Sequence, residues 1–208
     1  MKLTTTTFVS VGGVMQGIGS PVEDRSGGFT RGGWATPLFD KETATFVNQV
    51  YQRADAFLFG RRTYGDLCRL LGSHGRSGRQ PIAVASNTRP KYVASTTLTD
   101  LRWADTTVLS SEVAAAVGEL RAKPGRELQV HGSGTLIRRL LDNDLVDEIN
   151  LLTFPVVVGQ GTRLFPDTGP DMALDLLDSR TDSKGVTIQV YRPAGRRRGQ
   201  HLRPTRRG

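Results

Sequence analysis

The segment ELQVHGSGTLIRRLLDNDL, Glu127 to Leu145, sets the fold class. Leu128, Val130 and His131 suit a short buried strand, and the chain then breaks at Gly132-Ser133-Gly134. Beyond the break, Leu136, Ile137, Leu140 and Leu141 recur at the spacing of one apolar helical stripe. Strand, glycine turn and helix start together form a unit whose backbone N–H groups and helix dipole can hold a phosphate. Taken alone, the unit is also what an ordinary βα turn looks like. The third glycine and the trailing acidic residue of the dinucleotide fingerprint are missing.

A second unit of the same kind narrows that ambiguity. Ala56-Phe57-Leu58-Phe59 is a continuous apolar run, as in a strand covered on both faces. It ends in Gly60-Arg61-Arg62-Thr63, at the head of a helix carrying Tyr64, Leu67, Cys68 and Leu71. Two guanidinium groups there offer planar, permanently charged donors suited to phosphate. A third candidate turn is Ser86-Asn87-Thr88, which follows an apolar run from Pro81 to Ala85 read as another buried strand. Open α/β sheets bind ligands beyond the carboxyl ends of their strands, so three such turns predict one shared crevice for a phosphorylated nucleotide.

Around these units strands alternate with helices. Leu3 to Val11 is rich in β-branched residues and reads as a strand. A glycine-rich connection runs through Gly12-Gly13-Val14-Met15-Gln16-Gly17 to about Gly33, a length at which loops are commonly functional. Trp34, Leu38 and Phe39 form an apolar cluster. Asp40 is a suitable N-cap for a helix bearing Phe46, Val47, Val50 and Tyr51. Gly72 to Arg79 reads as a polar loop, Tyr92 to Ser95 and Thr107 to Leu109 as short strands, and Ser110 or Ser111 as the cap of a helix with Val113, Val117 and Leu120 inward. Val146 to Val158 is the longest apolar run. Met172 to Leu177 and Val186 to Tyr191 then form a closing antiparallel pair. The pattern predicts right-handed crossovers and a largely parallel sheet with an antiparallel C-terminal edge.

The net charge is +8, but six arginines (Arg196, Arg197, Arg198, Arg203, Arg206 and Arg207) lie in the last 13 residues and setting them aside leaves +2. The charge therefore belongs to a basic tail over 194–208, which lacks periodicity and is expected to be disordered, while residues 1–193 form the domain. Nucleic-acid binding by the body is not expected. One cysteine, Cys68, excludes an internal disulfide and fits a buried thiol on an apolar helical face. His74, His131 and His201 lack metal-ligand spacing, so no metal site is expected, and His131 reads as a strand-end residue, not a catalyst. No run approaches transmembrane length, and a cytoplasmic setting is expected.

The series FVSVGGVMQG, EDRSGGFTRGGW, ADAFLFGRRTYGDL, SNTRPKYVAS, ELQVHGSGTL and LVDEINLLTFPVVVGQGTRLFP resembles the dihydrofolate-reductase-like superfamily. More narrowly, it resembles stand-alone relatives of the C-terminal reductase domain of the riboflavin-biosynthesis deaminase–reductase. The resemblance covers about residues 1 to 193. It implies a three-layer α/β sandwich with a central, mostly parallel sheet of about eight strands, an NADPH cofactor, and a homodimer. It further implies that Gly60, Arg61, Arg62 and Thr63 hold phosphates, and that Ser86, Asn87 and Thr88 face the adenosine ribose and its 2′-phosphate. Gly132, Ser133, Gly134, Thr135 and Leu136 would contact the pyrophosphate and the nicotinamide side, and Met15 and Gln16 would belong to a mobile loop over the nicotinamide. Trp34 and Phe39 are candidates to wall a substrate pocket, with core packing the favoured alternative for Phe39.

One departure stands out: relatives commonly carry an acidic residue where this chain has Gly12. Asp40 and Asp24 are the remaining candidates for a catalytic carboxylate. The expected activity is NADPH-dependent reduction of a small heterocyclic or sugar-imine substrate, similar to 5-amino-6-(5-phosphoribosylamino)uracil reductase. The alternatives are a nucleotide-binding module without turnover and a dihydrofolate reductase proper.

Overall fold

The computed structural model describes residues 1–72, 80–168 and 171–196. The expected polar loop over 73–79, His74, His201 and the tail from residue 197 lie outside the described residues. Strand β1 (Lys2–Ser10) occupies the middle of an eight-stranded sheet. Its run Thr4-Thr5-Thr6-Thr7 is buried throughout, as befits β-branched residues in a strand paired on both sides. Parallel to β1 lie β5 (Glu127–His131) on one side and β6 (Glu148–Phe154) on the other. Outward from β5 come β2 (Ala54–Gly60), β3 (Lys91–Ala94) and β4 (Thr106–Leu109), all parallel. Beyond β6, β8 (Thr187–Arg196) and β7 (Met172–Thr181) pair antiparallel and form the other edge. The order is β4-β3-β2-β5-β1-β6-β8-β7, which bears out the expected sheet.

Helices α1 (Lys41–Arg53), α2 (Arg61–Leu71) and α3 (Pro81–Thr88) cover one face through Phe46, Val50, Tyr64 and Ala83. Helices α4 (Val113–Ala122) and α5 (Gly134–Asp142) cover the other through Val117, Ile137 and Leu140. Asp40 caps α1 as expected, accepting the Thr43 amide at 2.9 Å.

Three expectations are corrected. Pro81 to Ala85 is not a strand but the start of α3. Pro81 sits in the first helical turn, where its missing N–H costs nothing. Ala83 is fully buried while Val84 is 50% exposed, a one-sided burial that a strand covered on both faces would not show. Helix α4 is capped by neither serine: Glu112 takes the cap position at a left-handed φ of 39°, without a side-chain cap bond. Strand β8 runs through Arg196, past its expected end at Tyr191.

Candidate active site

Strands β2 and β5 are neighbours, yet the helix after β2 lies on one face of the sheet and the helix after β5 on the other. The carboxyl ends of the two strands, where the helices diverge, are the place where open α/β sheets take ligands, and they mark the candidate crevice. The two turns meet there. A side chain on Gly60 would collide with Ser133, and a Cβ on Gly132, whose φ is 71°, would stand 3.5 Å from Thr63. Ser133 itself holds a left-handed φ of 56°, which aims the start of α5 at the crevice. Neither α2 nor α5 has an acidic residue in its first turn. Both positive helix ends, with exposed Arg61 and Arg62, therefore face the same space without a competing carboxylate of their own. Both units have the expected form of strand, glycine turn and helix.

The third turn is elsewhere. Ser86, Asn87 and Thr88 lie at the end of α3, which leads through Pro90 into the first residue of β3, at the amino-terminal edge of the sheet. Their side chains are already used. Ser86 and Thr88 donate back to the Ile82 and Val84 carbonyls, and Asn87 donates to the Leu71 carbonyl and accepts the Trp103 indole N–H at 2.6 Å. The turn that does reach the crevice is Ser95-Thr96-Thr97, after β3. Gly60 pairs with Ala94, so Ser95 follows directly beside the β2–α2 turn. The Ser95 hydroxyl accepts the Thr97 and Leu98 amides and leaves the Thr96 and Thr97 side chains exposed. The sequence signal was present: the apolar run Tyr92-Val93-Ala94 closes in three hydroxyl residues. Leu136, at the end of the β5–α5 turn, buries its side chain in the core under α5 and leaves its backbone facing the turn.

The connection between β1 and α1 folds over this end of the sheet. Met15 lies against the β5–α5 turn, its sulfur 2.7 Å from where a Cβ on Gly134 would sit. Gln16 is buried and fully engaged. Its side-chain carbonyl accepts the Thr162 amide at 3.0 Å, and its side-chain amide donates to the Ser26 carbonyl at 3.0 Å and the Ser26 hydroxyl at 3.2 Å. Gln16 thus staples the loop through both ends of its side-chain amide. Phe29 anchors the same loop in a small cluster with Val14 and Val158. Trp34 donates its indole N–H to the Gln16 carbonyl and stands edge-on to Phe154, with ring centres 5.8 Å apart. Phe39 stacks on Phe154 and meets Phe8 edge-on. It is 39% exposed, so part of its ring faces solvent.

A family model described as the RibD C-terminal domain matches residues 1–188. The chain belongs to the RibD C-terminal domain family. Among curated proteins, the uncharacterized protein YyaP of Bacillus subtilis (strain 168) is 28% identical over 163 residues, which is 76% of this chain and 82% of YyaP. Solved structures share the fold at lower identity. A putative riboflavin biosynthesis protein from Shewanella sp. PV-4 superposes with a TM-score of 0.68 at 21% identity, covering 93% of this chain and 99% of its own. A pyrimidine reductase-like protein from Corynebacterium diphtheriae gives 0.63 at 14%, covering 92% and 91%. The dihydrofolate reductase of Enterococcus faecalis, complexed with NADP(H), gives 0.59 at 12%, covering 93% and 97%.

Within this RibD C-terminal domain the two candidate carboxylates are accounted for. Asp40 accepts the Thr43 amide and the Ser183 hydroxyl, and these bonds hold its carboxyl below the ordinary value. Burial works against charge on Asp24, but the Ser26 hydroxyl and amide and the Gln16 amide outweigh it, so its carboxyl also sits low. Both are kept ionised, which suits structural acceptors more than a proton donor near neutral pH. His131, the last residue of β5, is buried, stacks on Tyr51 at 4.1 Å and pairs its Nε2 with the Gln129 side-chain oxygen at 3.0 Å. Burial pushes its pKa down to about 3, so it stays neutral beside the crevice. At Gly12, a Cβ would meet only the Ser10 hydroxyl, 3.9 Å away. Gly12 therefore stands open in space, and the chain leaves this position without a side chain. The starts of α2 and α5, exposed Arg61 and Arg62 and the hydroxyl turn after β3 are donors of the kind that suit a dinucleotide's phosphates and ribose.

Proposed function

We propose that the chain is an NADPH-dependent reductase of a small heterocyclic or sugar-imine substrate, of the type acting on 5-amino-6-(5-phosphoribosylamino)uracil in riboflavin biosynthesis. The observation that carries the reading is the meeting of Gly60-Arg61-Arg62-Thr63 with Gly132-Ser133-Gly134 at the strand ends where α2 and α5 diverge. When bound, the cofactor supplies the hydride. The chain supplies the rest. Arg61, Arg62 and the two helix starts neutralise phosphates, Ser95-Thr96-Thr97 borders the adenosine side, and Met15 closes on the turn at Gly134. Trp34, Phe39 and Phe154 form an aromatic wall that orients a flat substrate and excludes water. With Asp40 and Asp24 held as anions by their caps and no side chain at Gly12, the proton comes from solvent.

Gly12 also favours a second reading, a nucleotide-binding module of the same fold without turnover. The discriminating experiment measures NADPH oxidation across pterins, pyrimidine ribitol precursors and small carbonyls. Oxidation with any one class supports the reductase. Tight NADPH binding without oxidation across the panel supports the module.

A further inference from the structure

Arg62, at the head of α2, donates from its Nη1 to the Ser26 hydroxyl at 3.1 Å. The same oxygen accepts the Gln16 side-chain amide at 3.2 Å, and the Ser26 backbone amide donates to the Asp24 carboxylate at 2.9 Å. The orientation of the Gln16 amide is fixed independently, because its oxygen accepts both the amide and the hydroxyl of Thr162, at 3.0 and 3.2 Å. The Gln16 backbone carbonyl in turn accepts the Trp34 indole N–H at 2.8 Å. A continuous path of hydrogen bonds thus leads from a phosphate-side arginine, through Ser26 and Gln16, to the aromatic wall beside Phe154. Gln16 is 6% exposed, so the centre of this path is shielded from water, where such bonds are geometrically restrictive.

We propose that Ser26 and Gln16 are positioning residues that couple phosphate binding at Arg62 to the placement of Trp34. This rests on the reading of the crevice as a dinucleotide site. Arg62 keeps its other guanidinium N–H groups for a phosphate while Nη1 holds Ser26. Fixing the guanidinium fixes Ser26, Ser26 restrains the Gln16 amide, and Gln16 sets the backbone oxygen on which Trp34 hangs. Ser26 touches neither cofactor nor substrate in this scheme. By linkage, whatever orders Trp34 also strengthens cofactor binding.

The test titrates NADP+ into the full chain and follows two signals. Calorimetry reads binding, and indole emission reads Trp34, isolated by subtracting the Trp34→Phe protein, in which Trp103 is the remaining tryptophan. In the wild type the Trp34 emission is expected to shift in step with binding. In Ser26→Ala the binding heat persists and the Trp34 shift is lost, while Ser26→Thr restores the shift. A Trp34 shift that survives in Ser26→Ala overturns the coupling, as does loss of both signals together, which would make Ser26 a cofactor ligand. Absence of binding heat in the wild type overturns the dinucleotide reading itself, and the coupling falls with it. If thermal melting shows that Ser26→Ala does not fold, Ser26→Cys serves in its place, since a thiol keeps the size but accepts hydrogen bonds weakly.

Discussion

Gly60 shows how tightly the crevice is built. Its φ of −77° suits any residue, so it is glycine for lack of room: an added methyl would collide with Ser133. Gly60→Ala is expected to cost about 1–3 kcal/mol of stability, as overpacking does, and to weaken NADPH binding by displacing the β5–α5 turn. Adding Ser133→Gly removes the collision and is expected to recover both, read by thermal melting and NADPH titration of the single and double variants. His131 gives a second prediction. The unfolded chain takes up its imidazole proton as pH falls below about 6.5, whereas the buried native imidazole refuses one until about 3. Its contribution to stability is therefore full above that window and declines by about 1.4 kcal/mol per pH unit within it. Urea unfolding at stepped pH should show a shallower acid slope in His131→Phe than in the wild type; equal slopes would refute the assignment. At this scale the sequence was readable where backbone need and residue type coincide, as at Gly60, Gly132 and the Asp40 cap. It was silent on Gln16, whose role comes from partners as distant as Thr162.

Among the elements, α3 separates what periodicity can and cannot decide. Pro81-Ile82-Ala83-Val84-Ala85-Ser86 is short and apolar, and a buried strand and a buried helical turn look alike over that length. The structure resolves it by one-sided burial. Ala83→Lys should destabilise by about 3 kcal/mol or more, because it buries an unpaired charge. Val84→Lys should stay within about 0.5 kcal/mol, as a surface change does. A strand covered on both faces would make the two equally damaging, so paired urea melts distinguish the structures. Misreading α3 put Ser86-Asn87-Thr88 at the carboxyl end of a strand, a position that Ser95-Thr96-Thr97 holds instead. The longer units, Ala56 to Leu71 and Glu127 to Leu141, were legible because each combines a strand, a glycine and a full apolar helical stripe.

For the molecule as a whole, the largely parallel sheet follows from the alternation of elements and the right-handed crossover rule, and the antiparallel edge from the alternating Val186, Ile188 and Val190. The insertion of β5 between β2 and β1 had no such local signal, yet it creates the crevice by placing α2 and α5 on opposite faces. No helix among the described residues is long and apolar enough to cross a membrane. In the proposed function the crevice holds a dinucleotide through Arg61 and Arg62, and NADPH titration by calorimetry reads that binding. The wild-type chain should bind NADPH saturably at one site. Arg61→Ala and Arg62→Ala should each weaken binding by about tenfold or more, the loss expected for charge-assisted hydrogen bonds of about 1.5–3 kcal/mol. A wild-type chain that binds no NADPH, or arginine variants that bind it as tightly as the wild type, would contradict the account.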